Sequence, residues 1–113
     1  MSIKARLILA VVCLAAVPLF AQSRMANDIS RLSAILLDSQ NEKVTISADA
    51  WRVTGNEVNA LANRIAANAR GKKAARELQT HVHEMRDAAL KGDADGARSH
   101  AGMALPYLYQ LSQ

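Results

Sequence analysis

Cysteine is what this chain most conspicuously lacks: it has one, Cys13, inside an amino-terminal apolar run. From residue 24 onward there is none, which excludes an intrachain disulfide, thiol catalysis, a zinc finger and covalent haem attachment through CxxCH. Aromatic residues are nearly as scarce, with one Trp, one Phe and two Tyr. A nucleic-acid surface built on base stacking has little to draw on, so no nucleic-acid partner is expected. GxSxG and HExxH are absent and the carboxylates are scattered over polar faces without an evident pair, so the chain reads as a non-enzyme. Strand signals are confined to residues 43–46. No apolar stretch reaches the roughly 20 residues that a membrane-spanning helix needs.

What is present begins with Lys4 and Arg6 ahead of fourteen uncharged residues, Leu7 to Phe20, and then the small-residue stretch Ala21-Gln22-Ser23. This is the pattern of a cleaved secretory signal helix over residues 1–23, with Ala21 and Ser23 at the two small positions before the cut. A periplasmic or secreted protein is expected, without a stable membrane span after cleavage. Removing that segment takes two of the fourteen basic residues with it, leaving twelve bases against ten acids. So small an excess does not point to a polyanionic partner.

Residues 24–113 suffice for one small domain. Four helical periods divide it, over about 25–38, 47–70, 73–91 and 93–111. In the first, Met25, Ile29, Leu32 and Leu36 share a face that Ile35 and Leu37 broaden. The second, WRVTGNEVNALANRIAANAR, organises the chain. Trp51, Thr54, Val58, Leu61, Ile65 and Asn68 recur at alternating steps of three and four, and Ala62, Ala66 and Ala69 widen the stripe. Ser47 is placed to cap it, Asp49 to favour its dipole, and Ile46 and Trp51 to form a hydrophobic staple. Gly71 stops it. The third helix carries Ala75, Leu78, Val82, Met85 and Ala89, and the fourth Ala94, Ala97, Ala101, Ala104, Leu108 and Leu111. Asp93 is its expected cap, and Pro106 predicts a kink near Gly102. Four helices with short connections and no sheet predict an all-α, antiparallel up-down-up-down four-helix bundle.

Candidate chemistry centres on the histidines. His81 has Glu84 three and Met85 four residues on, so the three can share a helix face, and His83 faces Asp87 in the same way. His100 is followed by Met103 and, at seven, Tyr107. If the last two helices fold back about Gly92, His81 and His100 fall about 4.5 Å apart along the axis. That predicts a metal site of His81, Met85, His100 and Met103, whose imidazole and thioether donors suit copper. A basic tip of Arg64, Arg70, Lys72, Lys73 and Arg76 is a second candidate, for an anionic partner. Exposed apolar residues Leu105, Tyr107 and Tyr109 near Pro106 suit an interaction or structural module of the cell envelope, which binds another envelope protein or itself.

NEVNALANRIAANA in the second helix, and MRDAALKGDADGARSHAGMAL across the last turn, resemble the periplasmic four-helix-bundle cytochromes of the c-prime, c556 and b562 types. The resemblance covers about two thirds of residues 24–113. It implies the bundle fold and a periplasmic setting. Because Ala104-Leu105-Pro106-Tyr107-Leu108 stands where CxxCH belongs, it implies at most a non-covalent haem, with Met25 and His100 as axial ligands.

Overall fold

The computed structural model describes residues 24–113; the expected signal helix, 1–23, lies outside the described residues. Four helices form an all-α antiparallel bundle: α1 over 24–40, α2 over Ala48–Asn68, α3 over Lys73–Leu90 and α4 over Ala94–Ser112. Among the described residues there is no strand, and no helix is long and apolar enough to cross a membrane.

Local chemistry sets each boundary. The hydroxyl of Ser47 accepts from the Ala50 N–H at 3.3 Å, and Ile46 and Trp51 are both buried on either side of that cap. Asp93 caps α4 by accepting from the Gly96 N–H at 2.9 Å. The two tight turns need the left-handed backbone, and Gly71 and Gly92 supply it with φ of 83° and 81°. After Gly92 the chain reverses, so α3 and α4 lie side by side.

The core follows the three-four stripes. Leu32 and Leu36 of α1, Val58, Ala62 and Ile65 of α2, Leu78, Val82 and Met85 of α3, and Ala97, Ala101, Ala104 and Leu108 of α4 are buried together. Their methyl-rich half on α4 bars bulk but allows close approach to its neighbours. Three positions depart from the expected stripes. Leu37 is 57% exposed, because it follows Leu36 by one step of 100° and so turns off the buried face. Gly55 is buried where Thr54 was expected, and an added Cβ there would meet the Arg86 side chain at 3.0 Å. Asn68 is exposed at the wet end of α2, while the neighbouring Ala69 is buried in its place. Pro106 lies within α4, which stays helical from Ala94 to Ser112. The carbonyl that its ring displaces belongs to Gly102, whose missing Cβ leaves room beside Gln40.

Polar contacts lock the helix pairs in register. Arg64 donates to both carboxylate oxygens of Asp28, at 2.9 and 3.1 Å, joining α2 to α1, and Arg31 Nε donates to Glu57 Oε1 alone, at 2.6 Å, joining the same pair of helices. The hydrogen bond to Asp28, and then its charge, raise the Arg64 pKa above the ordinary arginine value. The asparagines of α2 find partners on α3: Asn56 accepts from Arg86 and Asn63 from Gln79. The connection 41–47 is tied to α4, where Arg98 donates to the Val44 carbonyl and Gln40 to the Arg98 carbonyl.

Candidate metal centre between α3 and α4

His81 and His100 converge. Each flanks the buried stripe of its own helix, and the reversal at Gly92 sets the flanks against one another, with ring centroids 5.9 Å apart and planes at 30°. Tyr107 lies seven residues, almost two full turns, beyond His100 and so returns to the same face. Its ring stacks on His81 with centroids 5.8 Å apart and planes at 12°. His81 is thus packed between two α4 rings, which limits its freedom to rotate.

The third member is Glu84. Its Oε2 is 3.0 Å from His100 Nδ1, close enough for an ion pair when that ring is protonated. The approach is off the line of a hydrogen bond, and Nδ1 of both His81 and His100 is buried without a hydrogen-bond partner. Among the described residues, His81, Glu84 and His100 can each offer one ligand atom so that all three lie within 4.8 Å of one another. A tetrahedral zinc ion with bonds of about 2.0–2.1 Å needs edges of roughly 3.4 Å, so modest side-chain rotation closes the set. The side chains of His81, His100 and Glu84 are 17%, 29% and 49% exposed, giving a site that is walled on the core side and open outward.

The two methionines expected as sulfur ligands differ from this partly exposed cluster in burial. Met85 is fully buried in the core, while Met103 is 46% exposed. Helical geometry explains both. From His81, the residue at four turns about 40° toward the buried stripe, whereas the residue at three turns about 60° outward, so Glu84 and not Met85 borders the site. Met103 makes the same outward turn from His100. Nor do Met25 and His100 come together as two axial haem ligands. Met25 lines a recess with Leu111, Ser112 and Gln113, and Leu111 lies eleven residues beyond His100 on α4. That is about 16 Å along the axis, more than two bonds to one iron can span.

The remaining candidates disperse. His83 points toward α2, its Nε2 3.5 Å from Asn63 Oδ1. Arg64 leaves the basic tip for its pairing with Asp28, and Arg70, Lys72, Lys73 and Arg76 remain as exposed cations at the α2–α3 turn. Of the apolar trio near Pro106, Tyr109 is 69% exposed, while Leu105 and Tyr107 are half-buried. Glu84 is legible as a neighbour of His81, and it stands eight residues before Gly92 as His100 stands eight after it, so the reversal sets the two against one another.

The fold thus defines the class, an all-α four-helix bundle. No protein-family model matches the chain, and no curated protein or solved structure matches it.

Proposed function

We propose that this bundle is a non-catalytic binding protein for a divalent transition-metal ion, held by His81, Glu84 and His100. The observation that carries the reading is that these three donors, from two helices, fall within 4.8 Å of one another. Two imidazoles and one carboxylate form a borderline-to-hard set that suits zinc or copper(II), whereas copper(I) favours the thioethers this cluster lacks. Three protein donors leave a coordination position toward solvent, so the ion is held where it can exchange with an outside ligand. An open fourth position argues against a closed structural site, and with no catalytic group evident beside it the reading is that of a carrier or buffer. Export to the periplasm or beyond, supported by Lys4, Arg6 and the Leu7 to Phe20 run, places such a carrier where free metal is met first.

The test is equilibrium binding of zinc and copper(II) to the purified protein, by competition with a chromogenic chelator. One ion per chain is expected, with a Kd of about 1 μM or tighter, equivalent to roughly 8 kcal/mol. His81→Ala and His100→Ala are each expected to weaken it by at least 100-fold. Unchanged binding in the double variant, or no binding by the wild type at millimolar metal, defeats the reading.

A second reading rests on a different surface. Ile29, Ser33, Leu37, Leu105, Leu108, Tyr109 and Ser112 line a groove between α1 and α4, with Leu37 and Tyr109 mostly exposed. Its lining carries no charge, so a second copy presenting the same uncharged face is the occupant that fits it, in place of a charged envelope partner. Light scattering across a concentration series decides this: a dimer broken by Tyr109→Glu supports it, and a monomer throughout ends it.

A further inference from the structure

A histidine ligates a metal only through a ring nitrogen without a proton, so the tautomer of the neutral ring decides which atom is available. For His81 the two nitrogens have different surroundings. Nδ1 is buried without a hydrogen-bond partner, while Nε2 is 3.9 Å from Oε2 of Glu77, one helical turn earlier on α3. Glu77 is not in the three-residue cluster, and its partly exposed side chain makes no other ion pair or hydrogen bond among the described residues.

We propose that Glu77 is the positioning residue of the centre: its carboxylate holds the proton of His81 on Nε2, so that the Nδ1 lone pair faces the ion. The inference rests on the metal reading above and adds to it the atom through which His81 binds. A gap of 3.9 Å exceeds a hydrogen bond by somewhat less than 1 Å, a distance that rotation of a partly exposed glutamate side chain covers. Metal bound at Nδ1 withdraws electron density from the ring and makes Nε2–H a stronger donor, so the contact tightens as the ion arrives. Tyr107 packs against one face of the same ring. Carboxylates in this outer position orient the ring and raise its basicity, and their loss weakens metal binding by about 10–100-fold.

Two readouts separate this inference from the reading it rests on. Nitrogen-15 NMR of the metal-free protein reports the His81 tautomer directly; Nε2–H is expected in the wild type, with a shift toward Nδ1–H in Glu77→Ala. Zinc affinity by chelator competition is expected to fall at least tenfold in Glu77→Ala and by less in Glu77→Gln, whose amide oxygen still accepts from Nε2–H. Helical circular dichroism checks that both variants fold. A wild-type His81 protonated on Nδ1, or Glu77→Ala binding zinc like the wild type, overturns the role of Glu77 while leaving the metal centre standing. A wild type that binds no zinc, with His81 nonetheless protonated on Nε2, overturns the metal reading and with it the purpose assigned to Glu77.

Discussion

Replacing Met85 separates a core residue from a ligand. Its side chain is fully buried among the cluster that includes Leu78 and Val82. Met85→Ala removes that buried volume and leaves a cavity, a change that costs about 2–5 kcal/mol. A domain of about 90 residues has only some 5–13 kcal/mol of stability in total, so the loss is a large fraction of it. At about 4–8 °C per kcal/mol, thermal unfolding should fall by at least about 8 °C. Met85→Leu nearly conserves volume and should cost less than about 1.5 kcal/mol. The assay is thermal and urea unfolding of both variants by circular dichroism, with zinc and copper affinities measured on the leucine variant. Metal binding by Met85→Leu within about threefold of wild type, a change below roughly 0.7 kcal/mol, is expected. A folded Met85→Leu that loses the ion would restore the methionine to the site and refute the placement argued from helix geometry. An alanine variant as stable as the wild type would refute its place in the core.

Other positions give independent checks. Gly92→Ala forces a Cβ onto a backbone at φ 81° and should destabilise by about 1–2 kcal/mol, seen as a lower urea midpoint with an unchanged slope. Open space surrounds that site, so the cost is conformational, and Gly92→Asn should recover part of it. Asp93→Ala removes the α4 cap and should cost about 1 kcal/mol in the same measurement. Arg64→Ala should cost no more than about 1 kcal/mol despite its two short bonds to Asp28, because the guanidinium is largely exposed; a larger loss in a double-mutant cycle with Asp28→Ala would show that solvent screens the pair less than its exposure implies.

Much of the bundle is legible in period alone. All five stripe positions assigned to α3 are buried, and on α4 all but the first, since each apolar residue there recurs at the helical repeat and nothing competes with it. Caps and stops are legible for a related reason: Ser47, Asp93, Gly71 and Gly92 act within one turn of their own position. Errors arise where two candidates sit one residue apart on the wheel. Leu37 and Thr54 are as acceptable as their neighbours in one dimension, and only the neighbouring helices decide that Leu36 and Gly55 go inside. The convergence of His81 and His100 could be anticipated from their places about the Gly92 turn, eleven residues before it and eight after, a mismatch of about 4.5 Å along the axis. Its chemistry could not, because choosing Glu84 over Met85 depends on how far each helix is rotated about its axis, which the period leaves free within about one residue.

That rotation also bears on what would compete with a metal at the proposed site. A sulfur ligand in place of Glu84 would leave a neutral, soft pair of imidazoles open to copper(I). With Glu84 3.0 Å from His100 Nδ1, a metal held there as proposed would take the lone pair that a proton could otherwise occupy. The two states exclude each other, because a metal at Nδ1 and a proton at Nδ1 need the same lone pair. The proposed His₂Glu centre, open to solvent on its Glu84 side, suits taking up an ion and giving it back more than holding the fold together, which the alanine and leucine core already does.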